Sequence, residues 1–167
     1  MGDRVFAFRQ FIPDDLSQVI EINRTCLPEN YNSMFFLDIH RNCPDAFVVA
    51  EVDGKVVGYI MCRLEHGLSE TRRFSLVKKG HIVSVAVLPE YRRAGIGKAL
   101  VTEALRALSK HNAEECFLEV RMTNEPAINL YKKLGFGIAR KVSHYYFDGA
   151  DAYVMTFRLP EGSGNVS

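Results

Sequence analysis

Residues 83–108 of this 167-residue chain read VSVAVLPEYRRAGIGKALVTEALRAL, and the prediction for the rest of the chain starts from them. The apolar, β-branched beginning predicts a buried strand, which ends before Pro89 because proline cannot donate a hydrogen bond to a neighbouring strand. Apolar residues then recur every four positions, at Ile96, Leu100, Ala104 and Leu108. This spacing predicts a helix with one buried face. Strand, short basic turn and helix together are typical of an α/β protein.

The turn between the strand and the helix predicts an anion site. Gly95 and Gly97 allow the backbone to approach a ligand closely. The unpaired amides and the dipole of a helix N-terminus, beside arginines, favour phosphate. The third glycine of a dinucleotide fingerprint is missing, and Lys98 is followed by Ala99 instead of the Ser or Thr of a Walker loop. What remains is Arg-x-x-Gly-x-Gly from Arg92; the alternative is a solvated turn before a surface helix.

Length and charge limit the classes of protein to consider. We expect one domain over residues 1–160 and a flexible, polar tail at 161–167. The net charge of +1 favours neither nucleic acid nor an anionic membrane as a partner. The chain has no run of about 18 apolar residues and no apolar region at its start, so we expect neither a membrane span nor a signal peptide. The cytoplasm is the expected compartment.

The cysteines predict no disulfide framework and no metal centre. They are scattered and form no Cys-x-x-Cys pair; their positions are Cys26, Cys43, Cys62 and Cys116. We interpret them as isolated buried thiols. The prediction for metal ligands is therefore none.

The remaining segments predict alternating strands and helices. We expect strands at 5–8, 47–52, 56–63, 83–88, 114–122, 137–143 and 151–159. We expect helices from Pro13 to Pro28, over 33–42, from Ile96, and from Pro126 to a left-handed cap at Gly135. On the first helix, Asn23 shares the helical spacing of apolar neighbours. Residues 64–79 have no clean period and predict a long loop. This order predicts a single mixed sheet of about seven strands with about four helices.

Two motifs carry a resemblance to a known family. The Arg92–Lys98 turn resembles the pyrophosphate-binding motif of the GNAT superfamily of acetyl-CoA-dependent N-acetyltransferases. Residues 124–136, NEPAINLYKKLGF, resemble the second half of the cofactor site in that superfamily. The resemblance implies the GNAT fold, with a twisted mixed sheet whose central strands splay, and acetyl-CoA as the cofactor.

Further stretches carry a narrower resemblance, to the protein N-terminal acetyltransferases. They are LPENY at 27–31, GHIVSVAV at 80–87, LEVR at 118–121 and the tyrosines at 145–146. The strongest likeness is to archaeal relatives of the catalytic subunit of N-terminal acetyltransferase A. It implies acetyl transfer to protein N-terminal α-amino groups by direct attack in a ternary complex. It implies protein N-termini as partners and leaves association with the ribosome open.

The resemblance also implies which residues bind acetyl-CoA. The backbone of Val85, Ala86 and Val87 is expected to pair with the pantetheine arm. The amides expected to hold the pyrophosphate belong to Arg93, Ala94, Gly95, Ile96, Gly97 and Lys98. The side chains of Arg92 and Lys98 are expected to neutralise the phosphates, and Asn124 is expected to reach the arm. Tyr131 is expected to face the sulfur and to protonate the leaving thiolate; its alternative is core packing.

Two titratable residues are implied to take the proton of the amine through ordered water: His81 and Glu119. Glu119 stands in an apolar strand, where an acid is unusual, and its alternative is a salt bridge to Arg121 or a solvated position. The residues implied to contact the acceptor peptide are Leu27, Pro28, Glu29, Asn30 and Tyr31, and, on the opposite side, Tyr145 and Tyr146. The alternative for the two tyrosines is packing at a strand end.

Two other functions compete with N-terminal acetylation. One is a GNAT enzyme that acts on a small-molecule amine or on lysine side chains, and the other is an acetyl-CoA-binding sensor without turnover. The peptide-binding segments favour protein N-termini over small amines. His81 with Glu119 favours turnover over sensing.

Overall fold

The computed structural model describes residues 5–161. Within them, the strands are β1 (Ala7–Gln10), β2 (Phe47–Val52), β3 (Lys55–Leu68), β4 (Leu76–Val87), β5 (Glu115–Arg121), β6 (Gly137–Val142) and β7 (Ala152–Arg158). The helices are α1 (Leu16–Cys26), α2 (Ser33–Asn42), α3 (Ile96–Lys110) and α4 (Glu125–Leu134). None of these helices is long and apolar enough to cross a membrane. The predicted tail lies outside the described residues except for its first position.

The seven strands form one mixed sheet in the order β1-β2-β3-β4-β5-β7-β6. The β4–β5 pair is parallel, and the pairs β1–β2, β2–β3, β5–β7 and β6–β7 are antiparallel. The parallel ladder joins Lys79, Gly80 and His81 to Glu115, Cys116 and Phe117, three residues of strands that are 12 and 7 residues long. So short a ladder is what central strands that splay require, and the predicted mixed sheet is confirmed.

The chain divides into two compact units, and β3 and β4 run through both. The first unit comprises the residues up to Arg63 and Ile82–Ala107. Its core joins α1 and α2 to β2, β3 and β4, and the largest side chains in it are Phe11, Phe36, Phe47, Tyr59 and Met61. Each such side chain contributes about 1.5–3 kcal/mol when it is fully buried. The prediction of one domain over 1–160 stays a prediction.

The second unit comprises Leu64–His81 and the residues from Leu108 onward. Its strands β5, β6 and β7 form an antiparallel group, and α4 precedes β6. α4 begins at the cap Asn124, whose side chain accepts from the amide of Ala127, and ends at Gly135, which has a φ of 108°. The left-handed cap predicted at Gly135 is confirmed.

The prediction of a long loop at 64–79 is wrong. β3 continues to Leu68 and β4 begins at Leu76, so the connection is short. The segment has no apolar period because one of its two buried positions, Val77 and Lys79, carries a charge. Lys79 is 5% exposed, and its Nζ donates to the carbonyl of Leu68 at 2.9 Å and to Glu70 at 3.3 Å. A periodicity of apolar residues cannot detect a strand that is buried through ion pairs.

Candidate active site

The turn before α3 presents its backbone amides as predicted for an anion site. Arg93 and Gly95 both have positive φ, 63° and 80°. In the described chain, the amides from Arg93 to Lys98 donate to no backbone carbonyl, while Ala99 makes the first bond, to the carbonyl of Gly95 at 3.0 Å. A Cβ at Gly95 would have no heavy atom within 4 Å, so the backbone is open to a ligand. This turn fits a diphosphate held by amides and the N-terminus of α3.

Besides the phosphate contact predicted for it, Arg92 makes a hydrogen bond within the protein. Its Nε donates to the carbonyl of Val87 at 2.9 Å, and the thiol of Cys26 donates to the same oxygen at 3.5 Å. The bond holds the exposed guanidinium beside the turn and leaves its two terminal nitrogens as anion donors. The carbonyl of Val87, which was predicted to pair with the pantetheine arm, is thus already an acceptor for two side chains.

His81 and Glu119 are brought into direct contact. Nε2 of His81 lies 2.7 Å from Oε2 of Glu119. The register explains the contact, because His81 pairs with Phe117 in the parallel ladder and Glu119 follows two residues later on the same face of β5. Both side chains are mostly buried, at 11% and 15% exposure. Arg121, the alternative partner of Glu119, pairs with Asp148 at 2.8 Å.

The ring of His81 is also held on one face by stacking, while its other nitrogen, Nδ1, has no hydrogen-bond partner among the described residues. It stacks on Phe117 with a centroid distance of 4.4 Å and an interplanar angle of 5°. The ammonium of Lys79 lies 4.3 Å from the centroid of the same phenyl ring. Nδ1 of His81 is buried and lies 3.9 Å from a carboxylate oxygen of Glu65. This arrangement can hold and move a proton at Nε2, the nitrogen shared with Glu119.

Asn124 caps the start of α4, and Tyr131 lies in the second half of the helix. Asn124 uses its side-chain oxygen as the helix cap, which leaves its amide nitrogen as the group that it can offer to a ligand. Tyr131 is 7% exposed, and its ring meets Phe136 edge-on at 5.7 Å. The roles predicted for both residues at the cofactor stay predictions.

The predicted peptide-binding loop, residues 27–31, follows α1 directly. The amide of Leu27 still donates to the carbonyl of Asn23 at 3.0 Å, as the last bond of the helix. Tyr31 stacks on Phe35 at 4.5 Å and meets Phe36 edge-on at 6.0 Å. The aromatic residues of α2 therefore fix the far end of this loop.

The predicted tyrosine pair lies between β6 and β7. The rings of Tyr145 and Tyr146 meet at 90° with a centroid distance of 4.9 Å. The guanidinium of Arg121 lies 4.2 Å from the ring of Tyr146 and also pairs with Asp148. Tyr145 is 44% exposed. One tyrosine is thus held by a cation and the other is exposed, and the peptide contacts predicted for both stay predictions.

Sequence reasoning missed one feature beside this set, a buried polar chain through Asn23. The side chain of Asn23 contacts Glu29, Tyr31 and Tyr59, and Tyr59 in turn contacts Ser84. Burial raises the pKa of Tyr59 to about 12, against the hydrogen bonds from Ser84 and Asn23, which lower it. The available signal was a lone asparagine among the apolar positions of a helix.

Comparison with known proteins agrees with both motifs. Residues 16–136 match the model of the acetyltransferase (GNAT) family. The N-alpha-acetyltransferase of Sulfurisphaera tokodaii is 56% identical over 147 residues, which cover 87% of this chain and 88% of that protein. The resemblance predicted from the sequence is confirmed.

Solved structures agree as well. Ard1 from Thermoplasma volcanium aligns with a TM-score of 0.81 and 36% identity, over 93% of this chain and 99% of that one. Naa20 from Chaetomium thermophilum, solved in complex with a bisubstrate analogue, aligns with a TM-score of 0.82 and 36% identity, over 92% and 86%. The expected GNAT fold is therefore confirmed, and this chain belongs to the acetyltransferase (GNAT) family, whose cofactor is acetyl-CoA.

Proposed function

We propose that this acetyltransferase transfers the acetyl group of acetyl-CoA to the N-terminal α-amino group of proteins by direct attack in a ternary complex. The observation that carries the proposal is the 2.7 Å contact between His81 and Glu119 in a GNAT chain. A buried acid–base pair of this kind is the device that an amine-acetylating enzyme needs and a sensor does not. The relative from Sulfurisphaera tokodaii, at 56% identity, is named for the same activity.

The turn from Arg92 to Lys98 is the part of the chain that would hold the diphosphate of acetyl-CoA. Within the described residues its amides donate to no backbone carbonyl, and its positive-φ positions keep the main chain exposed. The backbone of Val85–Val87 and the amide nitrogen of Asn124 would hold the pantetheine arm. When bound, acetyl-CoA supplies a thioester carbonyl that an amine can attack.

The His81–Glu119 pair would take the proton that the amine loses when its nitrogen bonds to the acetyl carbon. An α-amino group has a reference pKa of about 8, so a base of modest strength is enough near neutral pH. Tyr131 would return a proton to the thiolate as the carbon–sulfur bond breaks. Proton and electron pair are then balanced without a covalent enzyme intermediate.

The acceptor would be an extended protein N-terminus. The loop Leu27–Tyr31, with Glu29 and Asn30 at its centre, would contact the first residue, and Tyr145 and Tyr146 would bind the following backbone. The cytoplasm as the compartment and nascent chains near the ribosome as the source of these N-termini belong to the same proposal. A nearly neutral chain, with a net charge of +1, favours a peptide over nucleic acid as the partner.

The test is thiol release from acetyl-CoA with different amines. Short peptides that begin with Ser, Ala, Met-Leu and Met-Glu are compared with spermidine, free amino acids and a peptide whose N-terminus is blocked but which carries lysine. We expect release with free peptide N-termini, and mass spectrometry should place the acetyl group on the α-nitrogen. Release with only spermidine or an amino acid, or only with the blocked lysine peptide, would assign the alternative substrates. Acetyl-CoA binding without release from any amine would assign a sensor.

The double variant His81→Ala, Glu119→Gln should lower kcat by about a hundredfold or more, the usual scale for acid–base groups. Its affinity for acetyl-CoA, measured by calorimetry, should stay within a few-fold of the parent. The matched control is His66→Ala with Glu114→Gln, which makes the same chemical changes at two exposed positions of the same unit. Equal activity in the two double variants would remove His81 and Glu119 from the mechanism.

A further inference from the structure

Asn23 has its amide side chain at a buried position, where a polar group without hydrogen-bond partners lowers the stability of the fold. It lies on α1 beside Val19 and Ile22, and it is 0% exposed. A buried amide destabilises a fold unless its donors and its acceptor all find partners. The hydrogen-bond partners of Asn23 therefore indicate why an amide occupies this position.

Two of its bonds hold the main chain of the loop Leu27–Tyr31. Nδ2 of Asn23 donates to the carbonyl of Glu29 at 3.1 Å, and its Oδ1 accepts from the amide of Tyr31 at 3.4 Å. A donor that faces a carbonyl and an acceptor that faces an amide fix the orientation of the side chain. The amide of Leu27 donates the last backbone hydrogen bond of α1. The two bonds from Asn23 therefore hold the backbone of the residues that follow the helix.

The third bond ties this contact to the sheet. Nδ2 of Asn23 also donates to the hydroxyl of Tyr59 on β3 at 3.1 Å. The oxygen of Tyr59 lies 2.7 Å from Oγ of Ser84 on β4. This oxygen accepts from Asn23, and either hydroxyl can donate in the bond between Tyr59 and Ser84. The chain of contacts thus runs from the loop backbone through Asn23 and Tyr59 to β4, and all three side chains are buried.

Aromatic packing leaves the loop little freedom to leave this position. Tyr31 stacks on Phe35, and Phe36 meets both Tyr31 and Tyr59 edge-on, at 6.0 and 6.4 Å. The loop is therefore held through its main chain on one side and through one aromatic ring on the other.

We propose that Asn23 is a positioning residue that sets the backbone of the peptide-binding loop, with Tyr59 and Ser84 as its anchor on the sheet. The inference rests on the proposed function, because it takes residues 27–31 to be the loop that meets the acceptor N-terminus. Asn23 touches neither the reacting atoms nor the His81–Glu119 pair. Its loss should therefore weaken peptide binding and leave the chemical step nearly intact.

The test compares Asn23→Ala with Val48→Ala, a control that removes buried volume from β2 in the same unit, on the face of the sheet opposite to the pair Val49 and Tyr59. Asn23→Ala should raise KM for the peptide about tenfold or more, as expected when buried polar groups lose their partners, and kcat should change much less. Val48→Ala should lower the melting temperature but keep KM. Parallel losses in both variants would reduce Asn23 to a structural residue and overturn the proposal.

Hydrogen exchange of the Tyr31 amide gives a readout that needs no turnover. Exchange should be faster in Asn23→Ala and unchanged in Val48→Ala, because only the first removes the acceptor of that amide. If Asn23→Ala does not fold, Tyr59→Phe decides: increases in KM and in Tyr31 exchange support the anchor, and no change in either overturns it. A parent protein that acetylates no peptide would refute the proposed function, and the exchange comparison would still decide the role of Asn23.

Discussion

At the scale of single residues, the anion turn depends on backbone conformation at Gly95. Its φ of 80° is a value that residues with a Cβ rarely adopt, and the space around it is open. Arg93 adopts φ of 63° in the same turn without being glycine. The motif Arg-x-x-Gly-x-Gly thus has a physical cause, which is the exposure of successive amides to a diphosphate.

Gly95→Glu should abolish acetyl-CoA binding while the protein stays folded, because a side chain and a negative charge would enter the phosphate site. Calorimetry measures the affinity and circular dichroism the fold. Gly54→Glu is the matched control, since Gly54 also has positive φ, 77°, and open space around it, but lies in the β2–β3 turn. Unchanged affinity in Gly95→Glu, or an equal loss in Gly54→Glu, would contradict the assignment of the turn.

The position of a single residue could be predicted from the sequence where a motif determines it. The sequence predicts the strands on which His81 and Glu119 lie. The structure adds the register of these strands, which brings the two side chains into contact. Asn23 was not predictable as a contact, because its partners lie up to 36 positions later in the chain. The role of Arg92 as a donor to Val87 was likewise hidden, since a backbone carbonyl leaves no trace in the amino-acid sequence.

At the scale of elements, the parallel β4–β5 ladder depends on close packing of α3 against Gly80. A Cβ at Gly80 would lie 2.5 Å from Cδ1 and 2.8 Å from Cδ2 of Leu108, and Leu108 is completely buried. The same glycine pairs with Cys116, and its neighbour His81 pairs with Phe117. The position of the proposed base is therefore coupled to helix packing at the adjacent residue.

Gly80→Ala should lower the free energy of unfolding by about 1–3 kcal/mol, the usual cost of an overpacked core. It should also lower acetyltransferase activity more than stability alone explains, because β4 has to move away from Leu108. Gly67→Ala is the control on β3, where a Cβ would meet only Cδ of Lys79 at an ordinary 3.6 Å. Denaturant unfolding and thiol release check both, and a neutral Gly80→Ala would show that Leu108 can give way.

The elements themselves were largely predictable from apolar spacing and caps. α2 and β2 have the predicted bounds, and Gly135 ends α4 as expected. The first strand is shifted, to Ala7–Gln10 from the predicted 5–8. The ends of β3 and β4 were missed because Glu70, Lys79 and Glu115 satisfy one another and their neighbours, which replaces the apolar alternation by charge.

At the scale of the whole molecule, the second unit is stabilised by the carboxylates of Glu70 and Glu115, which stay ionised although they are mostly buried. Burial raises the pKa of Glu115, but the hydroxyls of Ser69 and Thr71 and the amide of Glu70 donate to it and bring its pKa below the ordinary 4.5. Burial likewise opposes ionisation of Glu70, and Arg140 and Lys79 lower its pKa. A carboxyl with a lowered pKa stabilises the fold above its ordinary pKa, and this stability is lost as the pH falls through the folded-state value.

Glu115→Gln should therefore destabilise the protein by about 1–3 kcal/mol at neutral pH, because the partners of a buried charge lose their acceptor. The difference from the parent should shrink as the pH falls from 4.5 through the lowered folded-state pKa of Glu115, because the parent carboxyl is then protonated as well. Denaturant unfolding at a series of pH values measures it. Glu114→Gln, at the adjacent exposed position, should change stability little at any pH. A difference independent of pH would contradict the role given to the Glu115 charge.

The two hydrogen bonds from Asn23 to the backbone of the loop after α1 also indicate how the acceptor specificity of this acetyltransferase can be re-engineered. Asn23 bonds to a carbonyl and an amide of the loop, so an exchange of the side chains at Pro28, Glu29 and Asn30 removes neither of these two bonds. A combinatorial library at these three positions, built on an unaltered Asn23, would therefore sample new acceptor preferences on a constant scaffold.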